Sequence, residues 1–258
     1  MLEKIISTVR KKVSTRKEKK PLSLLKKEIP GLSQPRNFIN ALTGTSPSPL
    51  RIIAEIKRAS PSAGSLSPGL SPALLAQSYQ KAGACAISVL TEEEFFQGSL
   101  NDLSEVKKAV TVPVLQKEFI LEPYQIYESR ACGADAILLI VALHSQKDLQ
   151  KLYSLILSFG LTPLVEIHDE AELETALTLG AKVIGINNRS LKTLAVDVTT
   201  SYRILPLIPK DRIVVVESGL KEKDDLLRLK ELGASAFLIG ETLLHSPDPA
   251  STLSSFLK

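Results

Sequence analysis

Tryptophan is absent from the 258 residues, aromatic side chains make up only 5%, and cysteine occurs twice. The scarcity of rings means that any large core is aliphatic, and the 44% hydrophobic content is enough to build one. Cys85 and Cys132 stand at no metal-like spacing, so neither a disulfide framework nor a cysteine metal cluster is expected. A reducing, cytoplasmic setting follows as the default. His144, His168 and His245 are equally scattered, and no metal or other cofactor is expected. No run approaches the roughly 20 apolar residues of a membrane span, so no membrane contact is expected. Glu3, Glu18 and Glu28 interrupt the basic amino-terminal stretch and no cleavage-like apolar segment follows, which argues against a targeting leader.

Net charge is only +4, too little to argue for nucleic acid by itself. Most of the excess lies between Lys4 and Lys27 and reads as a solvated basic helical face, with an anionic partner as the sharper alternative. No nucleic-acid partner is expected, and the chain reads as a monomer.

What is present is a repeated grammar. Four segments combine a helical run, a glycine stop and a short apolar strand, at Gly83, Gly133, Gly180 and Gly233. Such a glycine ends a helix in the left-handed conformation, and the apolar run after it suits a buried parallel strand. The spacing is about twice one βα unit, so each interval hides a second strand. These read at Arg51 to Lys57, Val112 to Lys117, Pro163 to Ile167 and Arg212 to Glu217. Helical patterns fill the gaps at Pro72 to Lys81, Leu100 to Ala109, Tyr124 to Ala131, Gln146 to Leu157, Ala171 to Leu179, Thr199 to Leu205 and Glu222 to Leu232, with a last one after Pro249. Asp169 and Glu172 look like a capping pair. Eight alternating units predict an α/β fold, a (β/α)8 TIM barrel over residues 51–258, as a single catalytic domain. Residues 1–50 form an amino-terminal extension, helix-compatible from Met1 to Leu25, then rich in Pro, Gly, Ser and Asn. It reads as a lid, a bottom plug or a tail.

In such a barrel the chemistry sits at the carboxyl ends of the strands. Side chains two apart share a face, so Glu55 and Lys57 point together, as do Lys117 and Phe119. Glu166 ends the fifth strand, Asn187 the sixth with Arg189 just beyond it, Glu217-Ser218-Gly219 the seventh, and Gly240-Glu241 the eighth. Each alone reads as a strand-end polar group in solvent. Together they describe either an ion-pair network or a site. Ser218-Gly219 and Gly240-Glu241 occupy the places where barrels hold phosphate with backbone N–H groups. His168 beside Asp169 reads as helix-start polarity, and both cysteines read as structural.

These residues resemble one family. The run from Ile53 through Glu55, Lys57 and Ser60 to Gly64 is similar to the first-strand signature of the indole-3-glycerol phosphate synthases. So are Ile87 to Glu92 with Phe95 to Leu100, Gln116 to Ile120 with Pro123 to Tyr127, Leu164 to His168, Gly185 to Arg189, Glu217 to Gly219 and Leu238 to Glu241. The resemblance runs from about Ile52 to the end, and the basic extension also looks like the family's extra helical segment. It implies ring closure of the phosphorylated small molecule 1-(2-carboxyphenylamino)-1-deoxyribulose 5-phosphate, with release of carbon dioxide and water and no cofactor. It implies Lys117 as general acid, Glu166 as acid/base for dehydration, and Glu55 and Asn187 as orienting groups. Lys57 resembles the lysine near the substrate anions. Ser60, Arg189 and Glu217 look like substrate contacts. Ser218, Gly219, Gly240 and Glu241 match the phosphate positions, and Phe96, Phe119 and Leu138 the pocket for the aromatic ring. On this reading Lys57, as a neighbouring cation, lowers the pKa of Lys117 toward working pH. Three positions depart from the pattern: Ala63 where lysine is common, and Gln116 and Glu118 where arginine and aspartate are frequent.

Two alternatives stand beside this reading. One is a related phosphoribosyl-type barrel isomerase, whose chemistry favours a cysteine/aspartate or aspartate/aspartate pair at strand ends. The other is a non-catalytic barrel that binds anions, or nucleic acid through the basic extension with steep salt dependence.

Overall fold

The computed structural model describes residues 1–44, 48–62, 64, 65, 69 and 71–258. Among these residues, eight parallel strands close into a barrel: β1 (Ile52–Ile56), β2 (Ala86–Leu90), β3 (Val114–Lys117), β4 (Ala136–Ile140), β5 (Thr162–Ile167), β6 (Val183–Asn187), β7 (Ile213–Glu217) and β8 (Ala236–Ile239). Each pairs with its successor, and β8 returns to β1 with Leu238 opposite Ile53. The expected (β/α)8 TIM barrel is the observed fold.

Each strand is buried on both faces, which is why it reads as an apolar run rather than an alternation. On β1, Ile53 joins the cluster inside the barrel, while Ile52, Ala54 and Ile56 join the cluster between strands and helices. The crossover helices are α4 (Pro72–Lys81), α5 (Leu100–Ala109), α6 (Pro123–Ala131), α7 (Gln146–Ser158), α8 (Glu170–Thr178), α9 (Thr199–Ile204) and α10 (Lys223–Glu231). A short α11 (Glu241–Leu244) and α12 (Pro249–Leu257) follow β8. All eight predicted helices form, their ends within a residue of expectation. The four stop glycines all have positive φ, from 78° at Gly180 to 118° at Gly233. The third strand begins two residues later than predicted, because Pro113 has no N–H to give a neighbouring strand. Asp169 does cap α8, its side chain accepting from Glu172 N at 2.9 Å. Glu172 does not reciprocate, since its carboxylate turns to His168 instead.

The extension lies against the barrel from mouth to floor. In α1 (Leu2–Lys19) the buried residues Ile5, Val9 and Val13 recur every fourth position and form its inner stripe. Three of its basic side chains are engaged with carboxylates. Lys12 meets Glu93 at 2.7 Å, Arg16 Nε meets Glu128 at 2.8 Å, and Lys17 pairs with Glu122. Pro21 separates α1 from α2 (Leu22–Glu28), which rests on α6. Next the chain crosses the floor. The Arg36 backbone N–H donates to Asp135 at 2.6 Å, and its guanidinium donates to Val112 O at 2.8 Å and Lys107 O at 3.0 Å. A further helix, α3 (Phe38–Thr43), stands in the stretch that composition reads as irregular, with Asn37 as its cap. Its Phe38 and Leu42 are buried in one cluster with Ala86, Val183, Ile213 and Ala236, the first residues of their strands. The extension thus supplies both a lid-side helix and a floor plug.

Candidate active site

A cavity of about 930 Å³ opens at the carboxyl ends of the strands, and every site residue expected from the sequence lines it. Phe96, Phe119 and Leu138 come from the connection after β2, the end of β3, and β4. Ser218, Gly219, Gly240 and Glu241 come from the ends of β7 and β8, across the barrel. The Phe96 and Phe119 rings are 6.3 Å apart and tilted, and form one apolar wall. Leu2 and Ile5 of α1 also face the cavity, which sequence reasoning did not assign to particular residues. The signal was present in the four-residue spacing of Ile5, Val9 and Val13.

Lys117 is the electrostatic centre. Its ammonium lies 2.7 Å from Glu166 Oε2 and 2.8 Å from Glu217 Oε2, and both carboxylates are only 1% exposed. The expectation that Lys117 has a depressed pKa is corrected here. Burial does disfavour the ammonium, but the charges of Glu166, Glu217 and Glu55 outweigh it and hold the pKa above the ordinary lysine value. The neighbouring cation that was to lower it is itself occupied, since Lys57 Nζ donates to Glu55 Oε1 at 2.7 Å. Burial favours the neutral form of Glu166, yet Lys117 and His168 keep its pKa well below the carboxylate range. Glu217 goes the other way. Burial pushes it to about 7, Lys117 opposes that, and the charge on Glu166 adds to it. Two neighbouring carboxylates around one ammonium are thus driven apart, which assigns them different protonation habits.

Two glycines make room for this arrangement. A Cβ on Gly185 would fall 2.4 Å from Glu217 Oε1, and one on Gly240 would fall 2.5 Å from Glu55 Oε1. Sequence reasoning gave Gly185 no role, because a bare strand position shows its purpose only once the neighbouring strand is in register. Gly185 stands opposite Glu166 on one side and Val215 on the other.

The rim is cross-linked. Asn187 Oδ1 accepts from Arg189 N at 2.9 Å and from Ser218 Oγ at 2.8 Å, which fixes the amide. Arg189 reaches Glu241 at 2.9 Å and Ser62 Oγ at 3.1 Å. Glu241 thereby turns its carboxylate to Arg189, so any anion contact at this position falls to the backbone. Ser218 and Gly219, just beyond β7, have φ of 67° and 77°, a consecutive pair in the left-handed region. Ser60 lies buried in a short hairpin, with its hydroxyl 3.3 Å from that of Ser62. Ala63 lies outside the described residues. Gln116 and Glu118 form a buried chain beneath Phe119. Gln116 Nε2 donates to Thr91 Oγ1 at 3.0 Å, Thr91 donates to Glu118 Oε2 at 2.7 Å, and Glu118 Oε1 accepts from Phe119 N at 2.9 Å. Among the described residues, no helix is long and apolar enough to cross a membrane.

Two solved structures share the fold at low identity. An N-acetylmannosamine-6-phosphate 2-epimerase from Clostridium perfringens matches with TM-score 0.61 at 15% identity, covering 82% of this chain and 93% of that one. A thiamine phosphate pyrophosphorylase from Pyrococcus furiosus matches with TM-score 0.60 at 14% identity, covering 85% and 96%. Sequence relatives are far nearer. The indole-3-glycerol phosphate synthase of Mycolicibacterium smegmatis is 47% identical over 257 residues, covering 100% of this chain and 93% of that one. That of Dehalococcoides mccartyi is 45% identical over 263 residues and covers 100% of both. That of Albidiferax ferrireducens is 42% identical over 254 residues, covering 98% of this chain and 96% of its own. The family model described as indole-3-glycerol phosphate synthase matches residues 2–256, and the chain belongs to that family.

Proposed function

We propose that Lys117 and Glu166 carry the reaction of this synthase, a carbon–carbon lyase of tryptophan biosynthesis that converts 1-(2-carboxyphenylamino)-1-deoxyribulose 5-phosphate to indole-3-glycerol phosphate. The observation that supports the assignment is the Lys117 ammonium held between Glu166 and Glu217 at 2.7 and 2.8 Å, beside the Phe96–Phe119 wall. As the ring carbon attacks the ribulose carbonyl, negative charge grows on oxygen, and an ammonium that is fully protonated at working pH is ready to neutralise it. The raised pKa has a cost, because the flanking carboxylates oppose release of the proton. A substrate that displaces either carboxylate from Lys117 weakens that hold and makes the lysine a better acid. Loss of carbon dioxide returns its electron pair to the ring system, and the apolar wall favours a carboxylate that leaves as a neutral gas. Glu166, kept ionised, then takes the proton lost as the indole double bond forms and hands it to the departing hydroxyl, which leaves as water. Glu55 orients Lys57 toward the substrate anions, Asn187, Ser60, Arg189 and Glu217 position the sugar and carboxylate, and the Ser218-Gly219 and Gly240-Glu241 backbones hold the phosphate.

Residues 51–258 act as one catalytic barrel with residues 1–50 as its extension, in the cytoplasm and as a monomer. A nucleic-acid partner is disfavoured because Lys12, Arg16 and Lys17 already face carboxylates of the same chain. The isomerase alternative loses support because the strand ends offer lysine and glutamate in place of a cysteine or aspartate pair. Purified protein given the carboxyphenylamino substrate is expected to produce indole fluorescence, and the Lys117→Ala variant is expected to produce none. Silence from folded native protein would overturn the function; signal from both would overturn the role of Lys117.

A further inference from the structure

His168 follows Glu166 by two residues at the end of β5, so the two side chains leave the strand on the same side. Glu172, on the first turn of α8, fastens the ring from behind. Its Oε2 accepts from the His168 backbone N–H at 2.8 Å and lies 3.0 Å from Nδ1. Held this way, the ring presents Nε2 to Glu166 Oε1 at 3.4 Å. Nε2 is wholly buried and has no aligned hydrogen-bond partner. Both ring nitrogens therefore face carboxylate oxygens. A neutral imidazole can donate to only one of them, whereas an imidazolium satisfies both.

We propose that His168 is a positioning residue for Glu166, an imidazolium clasped by Glu172 that fixes the Glu166 carboxylate through Oε1 and leaves Oε2 to Lys117. The proposal rests on the reading of Glu166 as the acid/base of this reaction. It also accounts for a need within that reading. Once Lys117 has given its proton to the substrate oxygen, the nearest positive charge on Glu166 Oε2 is gone, and His168 is the cation that remains to keep Glu166 ionised for the following dehydration.

The charges around the ring agree. Burial works against the imidazolium, but Glu166 and Glu172 outweigh it and lift the pKa to about 10. Glu166 is the charged group on its own strand, and Glu172 is the one on α8. Asp169 is occupied by the helix cap, and Glu170 pairs with Arg203 at 2.6 Å. Lys117 of β3 and Glu217 of β7 stand beyond Glu166. On one flank β4 and the turn Val141–Leu143 are apolar throughout, and on the other β6 ends on the neutral Asn187.

The test compares pH profiles of kcat and KM for the native chain, His168→Asn and Glu172→Gln, together with the ring ¹⁵N shifts of His168. Loss of a buried cation next to Glu166 raises the pKa of that carboxylate. His168→Asn is therefore expected to lower kcat about tenfold with little change in KM, and to move the acid limb of the kcat profile up by about one pH unit. Glu172→Gln is expected to move the limb the same way by less, and to make the ring lose its proton at lower pH. In the native chain the ring is expected to keep imidazolium shifts well past neutrality. A ring that titrates near the ordinary histidine value of about 6.5, or an acid limb that stays put in both variants, overturns the proposal. A mere helix-capping role would lower thermal stability and leave that limb unmoved. The ring titration needs no turnover, so it tests the clasp even if the function fails. Native activity that survives Glu166→Gln would instead overturn the acid/base reading on which the proposal stands.

Discussion

Gly185→Ala adds one methyl group to the inside of the barrel and puts it where a carboxylate already is. The new Cβ falls 2.4 Å from Glu217 Oε1 and 3.3 Å from Leu164 Cδ1, while ordinary contact begins at 3.4 Å. The Leu164 methyl needs to give only slightly. The carboxylate has to retreat by about 1 Å, and it is 1% exposed and tied 2.8 Å from Lys117 through its other oxygen. A displacement of about 1 Å at reacting groups costs on the order of a hundredfold in rate, or about 2.7 kcal/mol of transition-state stabilisation. Overpacking adds roughly 1–3 kcal/mol of instability, offset by the 0.4–1 kcal/mol that alanine returns by restricting the unfolded chain at a compatible backbone. The expected outcome is a folded enzyme with a small loss of Tm and a large loss of kcat/KM, read by indole fluorescence at saturating and limiting substrate. Glu217→Gln alone and the double variant complete a cycle in which the two losses do not add, because both act on one carboxylate. A folded Gly185→Ala protein that keeps half or more of native kcat/KM would refute the argument. Additive losses would show that the methyl group acts on something other than Glu217.

Three further outcomes are expected. Removing residues up to Lys27 takes away Leu2 and Ile5, so KM should rise several-fold or more in steady-state assays; unchanged substrate affinity would remove the lid role. Glu118 is pushed up to about 7 by burial, against the Thr91 and Phe119 donors, from an unfolded value of 4.5. Its folded pKa is the higher one, so the stability it contributes is present below about 4.5 and is lost as pH rises through 7. Glu118→Gln should therefore match native stability in acid and exceed it above neutrality, by roughly 3 kcal/mol at most, in denaturant titrations at two pH values. Arg16→Ala leaves Glu128, which is 8% exposed at its side chain, without its cation. Loss of a partner from a mostly buried pair costs about 3 kcal/mol or more, and a thermal melt should show it. A drop no larger than that of a surface alanine would mean that the Arg16–Glu128 pair does not hold α1 in place.

The barrel was legible because its signals are local. A stop glycine followed by four or five apolar residues is one βα junction, and four copies fixed the period at which the other strands had to lie. The cavity-lining positions at the strand ends were legible for a related reason, since a strand end in such a barrel points at the cavity. Three things were not legible. The pKa of Lys117 depends on which carboxylates point at it, and Glu217 comes from a strand 100 residues away in sequence. His168 reads as a capping neighbour because the competing fact, the 3.4 Å approach to Glu166, depends on the rotamer that Glu172 imposes. Helix α3 was hidden by composition, since its two buried residues, Phe38 and Leu42, form only one turn of pattern.

That short helix has a consequence for the order of assembly. Phe38 and Leu42 come early in synthesis, yet they seat against Ala86, Val183, Ile213 and Ala236, the last of which emerges nearly two hundred residues later. Contacts so distant along the chain form late, because closing the intervening loop comes first. A growing polypeptide therefore carries an apolar pair with no seat until β8 is released, and the floor is corked only after the ring of strands is complete. The first residues made are among the last to settle.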